Sequence, residues 1–239
     1  MNTILFDLDG TLLPMDQEAF IKHYFKNLIL HFIPKGISKD DLLNGMTAGT
    51  NAMLANDGST TNEKCFWSTF QENMNINVLD IEPDFYNFYE TGFQEAKNAC
   101  VTSEYAARCI KKLKDKNYKI VIATNPLFPP VATLSRIAWA GLDPNDFEHI
   151  TTYDNSSYCK PNLGYYLEIL KTIGKAPEDC MMVGNDVEED MCAQELGLDT
   201  YLITDCLLNS KNLPTNNFKS GSFQDFESFI DSLPSIETK

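Results

Sequence analysis

Two carboxylates stand two residues apart near the start of the chain. Asp7 and Asp9 follow an apolar run that begins at Ile4, and they precede Gly10-Thr11. Because successive side chains of a strand point to opposite faces, the two carboxylates should start out on the same side. Two anions this close repel each other unless a cation or a proton lies between them. The pair therefore indicates a chemical site, although a strand that ends in an Asp-Gly turn would give the same pattern.

Three further groups of polar residues follow apolar runs or open helices later in the chain. They are Thr124-Asn125, Lys160-Pro161 and the acidic segment from Gly184 to Asp190. In an open sheet of parallel strands, ligands bind beyond the carboxyl ends of the strands. We therefore expect the three groups to meet Asp7 at one edge of a sheet. Each group alone also fits a simpler structure, such as a strand end or a solvated first turn of a helix.

The elements between these groups alternate between strands and helices, which predicts a parallel sheet with helices on both faces. The stretch 207–222 is polar and is predicted to be a loop. Strands are predicted at residues 119–124, 147–150, 179–184 and 200–204. Helices are predicted at residues 103–114 and 131–140, from after Pro161 to near Gly174, up to Gly197, and at residues 223–233.

Residues 14–99 differ from the rest because they carry many aromatic residues and no strong strand pattern. We interpret them as a helical cap domain that is inserted into a core domain of residues 1–13 and 100–239. Most of the aromatic side chains would form the core of that bundle. The predicted fold class is α/β, with a Rossmann-like doubly wound parallel sheet and an inserted helical cap. The polar stretch Asn44 to Thr61 is the most loop-like part, and we expect it to contact the substrate.

The opening run Asp7 to Thr11 resembles the first motif, Asp-x-Asp-x-Thr, of the haloacid dehalogenase-like (HAD) hydrolases. The later groups match the other three motifs of that family in order, with Thr124 in the second, Lys160 in the third and the acidic segment after Gly184 in the fourth. The resemblance covers most of the predicted core, residues 1–13 and about 100–206. A cap between the first and second motifs is typical of the C1 subclass of the family.

The resemblance implies a phosphatase that hydrolyses a small phosphomonoester through an aspartyl-phosphate. Asp7 would be the nucleophile and Asp9 the general acid and base. Thr124, Asn125 and Lys160 would bind the phosphoryl group, with Lys160 also stabilising the transition state. The implied cofactor is Mg²⁺, which suits a site of few carboxylates and water. Its implied ligands are Asp7, the backbone carbonyl of Asp9, and Asp186.

One position departs from the family pattern. Many relatives have aspartate directly after the glycine of the fourth motif, whereas this chain has Asn185. We expect Asp186 to be the ligand because a charged oxygen binds Mg²⁺ better than an amide oxygen does. Asn185 remains an alternative. Asp190 would then orient Lys160.

Two other functions fit the same residues. A phosphomutase of the β-phosphoglucomutase type would pass the phosphoryl group to a sugar. A non-catalytic phosphate-binding or regulatory module would keep the fold without turnover. Dehalogenase activity is less favoured, because dehalogenases of the family need no metal and lack an acid at the position of Asp9.

Composition limits the partners of the chain. The 239 residues carry a formal net charge of −15, which disfavours nucleic acid and anionic membranes. There is no apolar run of membrane-spanning length, and the N-terminal residues do not resemble a signal peptide. The seven cysteines are scattered and never spaced as C-x-x-C, so we expect reduced thiols and a cytoplasmic location. The expected partner is a small phosphorylated metabolite, and the oligomeric state stays open.

Charge within the predicted cap bears on the leaving group. Residues 14–99 contain six lysines, no arginine and twelve acidic residues. An acidic cap disfavours a polyanionic leaving group and favours one that is neutral or singly charged.

Overall fold

Six parallel strands form one sheet in the computed structural model of the chain, which describes residues 1–74 and 77–237. All four residues of the first strand are buried, as expected where helices cover both faces of a parallel sheet. The strand order across the sheet is β3-β2-β1-β4-β5-β6. In chain order, the strands are β1 (Thr3–Phe6), β2 (Lys119–Ile122), β3 (His149–Ile150), β4 (Cys180–Gly184), β5 (Asp199–Ile203) and β6 (Lys219–Gly221).

Eight α-helices accompany the sheet in the described part of the chain. They are α1 (Gln17–Phe32), α2 (Lys39–Leu54), α3 (Asn62–Met74), α4 (Val78–Glu90), α5 (Glu104–Asp115), α6 (Pro130–Trp139), α7 (Leu163–Ile173) and α8 (Phe223–Ser232). Short 3₁₀ helices lie at Ile33–Lys35, Gly92–Ala99, Pro144–Asp146, Pro177–Asp179 and Met191–Leu196. None of the described helices is both long and apolar enough to cross a membrane.

Both faces of the sheet are packed, as the predicted α/β class requires. On one face, Leu5 belongs to an apolar cluster with Tyr165 and Tyr166 of α7. On the other face, the ring of Phe6 lies 5.8 Å from the ring of Phe226 in α8. The alternation of side chains along β1 thus supplies both layers of the core.

The position of β1 brings the polar groups together. This strand lies between β2 and β4, and Phe6 is in register with both Ile122 and Val183. The residues that follow these three strands therefore emerge at the same edge of the sheet. Asp7 is the first residue beyond β1, and its backbone N–H donates to the carbonyl of Val183 at 2.9 Å.

Most of the predicted elements are confirmed within a few residues, but the tail differs. Residues 207–222 are not all loop, because β6 (Lys219–Gly221) pairs with β5 at the edge of the sheet. Its sequence is Lys-Ser-Gly, which lacks the apolar alternation of a buried strand, as is common at an exposed edge. The helix predicted to end at Gly197 is the short 3₁₀ helix Met191–Leu196.

Between β1 and α5, the described residues form helices and connecting turns. We refer to residues 14–99 as the helical insertion; the domain boundaries 1–13, 14–99 and 100–239 remain a prediction. The chain enters and leaves the insertion side by side, since the N–H of Asp16 donates to Ala99 at 3.0 Å and that of Val101 to Pro14 at 2.8 Å.

The expectation that Asn44 to Thr61 is loop-like is wrong for most of that stretch. Residues 44–54 belong to α2, and only residues 55–61 lie outside the helices. Two glycines of this stretch, Gly45 and Gly49, lie within α2 at close-packing positions. A Cβ added at Gly49 would lie 2.6 Å from the ring of Phe66, and one added at Gly45 would lie 2.8 Å from Met74. Both glycines allow α3 to approach the backbone of α2.

Candidate active site

Asp7 lies at the carboxyl edge of the sheet with its side chain held from two sides. One carboxylate oxygen is 2.9 Å from the Nζ of Lys160. The other accepts a long hydrogen bond of 3.3 Å from the hydroxyl of Thr11. The residue is mostly buried but lines a cavity at this edge. The first and third motif groups of the sequence therefore meet in space.

Lys160 is a buried cation between two carboxylates. Its Nζ lies 2.9 Å from Asp7 and 2.6 Å from Asp190. Burial alone lowers the pKa of Lys160, but Asp190 and Asp7 outweigh that effect and raise the pKa well above its ordinary value. Lys160 is therefore positively charged throughout the neutral range, and its head group cannot move without breaking two ion pairs.

Asp190 links this lysine to the fourth motif group. Its second carboxylate oxygen accepts from the backbone N–H of Asp186 at 2.9 Å. A Cβ at Gly184 would overlap the carboxylate of Asp190, so the strand can approach this side chain only with glycine there. The structure thus explains why an apolar strand ends in glycine before the acidic segment.

Asp9 is held by a different cation. Its carboxylate forms an ion pair with the guanidinium of Arg136, which lies on α6 and is 1% exposed. The same guanidinium donates to the hydroxyl of Thr133 at 3.2 Å and lies 4.5 Å from the ring centre of Phe128. The other oxygen of Asp9, Oδ1, is buried and has no hydrogen-bond partner among the described residues. Asp9 therefore has one oxygen fixed and one oxygen free.

The environment of Asp9 favours its protonated form more than water does. Burial raises the pKa of this carboxyl above its ordinary value; the charge of Arg136 opposes the rise and that of Asp7 adds to it. Asp7 and Asp9 follow each other in the same motif, yet one pairs with Lys160 and the other with Arg136. The fold therefore gives each of the two carboxylates its own cationic partner.

Asn185 and Asp186 have different surroundings. Asn185 is buried, its amide donates to the carbonyl of Cys206 at 2.7 Å, and its side-chain oxygen accepts from Thr11 at 2.8 Å. In Asp186, Oδ1 accepts from the backbone N–H groups of residues 188 and 189 at 2.8 and 2.9 Å. Its Oδ2 makes no hydrogen bond within the described part of the chain. Asp186 therefore has an unused anionic oxygen, whereas Asn185 is committed to other contacts.

The second motif group, Thr124-Asn125, is held in place by hydrogen bonds with neighbouring segments of the chain. The carbonyl of Thr124 accepts from the hydroxyls of Thr151 at 2.7 Å and Tyr165 at 2.9 Å. The amide of Asn125 donates to both carboxylate oxygens of Glu189, each at 3.1 Å. Burial raises the pKa of Glu189 to about 7. Thr124 and Asn125 both line the cavity, but the side chain of Asn125 is already engaged.

The cavity at the edge of the sheet has a volume of about 340 Å³ and two chemically different ends. The sheet end is acidic, because five carboxylates line it and only Lys160 and Arg136 pair with them in the contacts described above. The opposite end is formed by the helical insertion and is aromatic. The five carboxylates are those of Asp7, Asp9, Asp186, Glu189 and Asp190.

The donor set at the acidic end fits a hard divalent cation. Negative charge exceeds positive charge there, and Oδ2 of Asp186 accepts no hydrogen bond from the described residues. No cluster of three or more carboxylate, histidine or cysteine side chains with metal-binding geometry occurs among the described residues. A bound cation would therefore take part of its ligand set from backbone carbonyls and water, which suits Mg²⁺.

Comparison with known families agrees with this geometry. The model of the haloacid dehalogenase-like hydrolases matches residues 1–197, which include all four motif groups. The chain belongs to this family. It is therefore a hydrolase of the HAD type, while the roles of the residues in the four motif groups stay a prediction. The C1 subclass stays a prediction.

Individual relatives of this HAD hydrolase are distant. The pyrophosphatase PpaX of Bacillus pumilus (strain SAFR-032) is 27% identical over 201 residues, which are 84% of this chain and 82% of the relative. Among solved structures, a HAD phosphatase from Thermococcus onnurineus superposes with a TM-score of 0.60 and 18% identity over 99% of this chain and 100% of that one. The HAD hydrolase YfnB from Bacillus subtilis, solved with bound magnesium, gives 0.59 and 19% over 96% and 98%. These two likenesses show the fold alone.

Sequence reasoning missed Arg136 in this hydrolase. The residue lies on the predicted helix 131–140, where its neighbours Ala132, Thr133 and Ile137 are all buried. A charged residue among the buried positions of an amphipathic helix needs a partner, because an unpaired buried charge is strongly unfavourable. That signal was present in the sequence, but it does not say which carboxylate the arginine would reach.

Proposed function

We propose that this hydrolase is a Mg²⁺-dependent phosphatase that acts on a small phosphomonoester through an aspartyl-phosphate on Asp7. One observation carries the proposal: Asp7 faces the cavity beside the cation of Lys160, while Asp9 is held apart by Arg136 with one oxygen free. Two carboxylates with separate cationic partners can take separate roles in one reaction.

In the first step, a carboxylate oxygen of Asp7 attacks phosphorus, and the bond between phosphorus and the leaving oxygen breaks. Asp9 gives its proton to that oxygen, so that the product leaves as an alcohol. Lys160 contributes positive charge where negative charge gathers, and the hydroxyl of Thr124 can donate to a phosphoryl oxygen. For Asn125, the backbone N–H is the group that we assign to the phosphoryl oxygens, because the side-chain amide already binds Glu189.

In the second step, Asp9 accepts a proton from water as the water oxygen attacks phosphorus. The bond between phosphorus and Asp7 breaks, and inorganic phosphate leaves. Asp9 is then protonated again, and the Asp7 carboxylate is restored. Asp9 is thus the group that we assign to both proton transfers.

A bound Mg²⁺ would supply the positive charge that lets an anionic phosphoryl group approach Asp7. We assign its binding to the carboxylates of Asp7 and Asp186 and the carbonyl of Asp9. Membership of the HAD family supports the choice of Mg²⁺ as the cation. Among the alternatives, Asn185 is less suited because both ends of its amide are engaged.

We propose a small phosphorylated metabolite as the substrate and the cytoplasm as the compartment. All seven cysteines are free thiols in the structure, which is compatible with a reducing environment.

The test is release of inorganic phosphate from a panel of phosphomonoesters by the full chain. EDTA should abolish release, and added Mg²⁺ should restore it. Product analysis separates the hydrolase from a phosphomutase, since a mutase would give an isomeric phosphate ester instead of inorganic phosphate. Release that persists in EDTA, or that Asp7→Asn leaves at the wild-type rate, would contradict the proposal.

A further inference from the structure

The end of the cavity that faces away from the sheet carries no charge. Twelve residues of the helical insertion line the cavity, and none of them is acidic or basic. Seven of the twelve are aromatic, among them Phe20, Tyr24, Phe25, Phe66, Trp67 and Phe85. The six lysines and twelve acidic residues of the insertion therefore lie elsewhere, and the expectation drawn from its net charge rests on the wrong groups.

The aromatic side chains form a fixed wall. The ring of Tyr24 lies 5.0 Å from that of Phe25 and 5.7 Å from that of Phe128, edge to face in both cases. Trp67 makes similar edge-to-face contacts with Phe66 at 5.0 Å and Phe85 at 5.2 Å. Such pairs hold each ring in one orientation. The wall is thus in place before a ligand binds.

Two polar groups within this wall pair with each other, whereas the Nε1 of Trp67 is buried without a hydrogen-bond partner among the described residues. The hydroxyls of Tyr24 and Tyr89 lie 3.2 Å apart and share a hydrogen bond. Burial raises the pKa of Tyr24 to about 12, so this side chain stays neutral. A charged leaving group would find no cation among the described residues that line this end, and a buried anion without one is strongly disfavoured.

Packing alone does not account for this space. Protein interiors seldom contain voids larger than a water molecule, whereas this cavity has about 340 Å³. An apolar cavity of about 150 Å³ is known to hold benzene. The space beside Asp7 can therefore hold a phosphoryl group together with one or two rings, and its mix of apolar walls and few polar groups is typical of a ligand site.

We propose that the substrate is a phosphomonoester whose leaving group is uncharged, flat and apolar, such as an aryl or arylalkyl alcohol. This inference rests on the proposed function, and it assigns phosphoryl transfer to the sheet end and recognition of the alcohol to the aromatic end. It also separates this chain from its relative PpaX, which is named a pyrophosphatase. Hydrolysis of pyrophosphate would place a second phosphoryl group against the aromatic wall.

The experiment compares two substrates whose leaving groups are alike in acidity with a third whose leaving group is charged. Benzyl phosphate and glycerol 3-phosphate both release a primary alcohol, and pyrophosphate releases an anion. With Mg²⁺ present, we expect kcat/KM for benzyl phosphate to exceed that for glycerol 3-phosphate by about tenfold or more, as expected for burial of one ring, and to exceed that for pyrophosphate by more. Phe25→Ala should lower the ratio of benzyl to glycerol phosphate several-fold.

A charge placed in the wall gives a second test with a matched control. Thr50 of α2 lines the cavity, whereas Thr47 on the same helix is exposed and does not. Thr50→Lys should lower the ratio of benzyl phosphate to pyrophosphate by at least tenfold, and Thr47→Lys should leave it unchanged. Equal ratios in both variants would contradict the inference. A wild-type preference for glycerol 3-phosphate or pyrophosphate would contradict it as well. In either case, Mg²⁺-dependent turnover would still support the proposed function.

Binding separates the inference from the reaction. Benzylphosphonate and methylphosphonate cannot be hydrolysed at their carbon–phosphorus bonds, and calorimetric titration of the full chain with Mg²⁺ measures both. Tighter binding of benzylphosphonate, lost in Thr50→Lys, supports the aromatic site even where no ester is hydrolysed and the proposed function fails. Equal affinities for the two phosphonates would overturn the inference.

Discussion

The two ends of the cavity are built by different principles. At the sheet end, three of the five carboxylates are fixed by an opposite charge, with Lys160 between Asp7 and Asp190 and with Arg136 against Asp9. At the insertion end, the wall is uncharged and is fixed by ring contacts. Because β1, β2 and β4 end in register, the residues that follow them fix a few charged groups at one place. The helices of the insertion instead supply a broad apolar surface for the cavity. The difference indicates that reaction and recognition are located in separate parts of the fold and can be changed separately.

The largest effect should come from Asp7→Asn. The change removes the attacking charge and a proposed metal ligand, so we expect turnover to fall by about 10⁴-fold or more. The amide fits the same space, and Lys160 keeps Asp190 as a partner, so the thermal unfolding midpoint should change little. Phosphate-release rates and thermal unfolding measure the two effects; a large loss of stability would mean that Asp7 serves the fold and not the chemistry.

Lys160→Met should affect both rate and stability. Loss of one group that stabilises the transition state raises the barrier by about 2–4 kcal/mol. The change also leaves two buried carboxylates without their cation, which destabilises the fold by about 3–5 kcal/mol. Denaturant unfolding and kcat measure the two losses.

Lys112 supplies a matched control for that change. It also contacts two carboxylates, Glu227 at 3.1 Å and Asp231 at 2.8 Å, but on the surface. Lys112→Met should leave the rate at its wild-type value and stability nearly so. Similar losses for the two lysines would show that burial of Lys160 has no special role.

Arg136→Met tests whether the second carboxylate is held in place. We expect a loss of about 3 kcal/mol of unfolding free energy, at the low end for a broken buried pair because Asp9 is 27% exposed. Misplacement of Asp9 should lower kcat by about 10²-fold with little change in KM. Arg136→Lys, which keeps a positive charge, should retain part of the kcat that Arg136→Met loses.

The other arginine of the chain is the control. Arg108 pairs with Glu227 at 3.0 Å on the surface, so Arg108→Met should leave kcat unchanged.

In a double-mutant cycle, Asp9→Asn should cancel most of the stability loss of Arg136→Met. Additive losses would contradict a direct pairing in solution.

The smallest effect should distinguish the two residues of the fourth motif. Asp186→Ala should raise the Mg²⁺ concentration needed for half-maximal activity by about tenfold or more, because it removes a charged ligand. Asn185→Ala should raise it less, since that amide binds Thr11 and Cys206. The reverse ranking in a Mg²⁺ titration would move the ligand to Asn185.

The parts of the fold that the sequence predicts are those with a strong local signal. The buried strands show apolar runs, and helix ends show caps, as at Ser103, whose side chain accepts from the N–H of residue 106 at 3.3 Å. The edge strand β6 lacks that signal because its pairing with β5 is a property of the whole sheet. The stretch around Gly45 and Gly49 was wrongly predicted to be loop-like for a related reason. The small size of these glycines allows contact with α3 and does not reflect chain flexibility.

The site divides in the same way. Asp7, Lys160 and Asp190 follow strands or open a helix, so topology alone predicts that they meet. The partner of Asp9 could not be predicted, because Arg136 lies 127 residues away and reaches it only through the packing of α6. The uncharged wall could not be predicted either, because the net charge of the insertion does not determine which side chains line the cavity.

The central claim is that a phosphoryl group becomes covalently bound to Asp7. Asp9→Asn should trap that state when the variant is given 4-nitrophenyl phosphate and Mg²⁺, because this leaving group needs no proton while the attack of water still needs a base. After an acid quench, peptide mass spectrometry should find one phosphoryl group on Asp7, and none on the double variant that also carries Asp7→Asn. Release of inorganic phosphate with an unmodified Asp7, or a phosphoryl group on Asp186 or Glu189, would contradict the account.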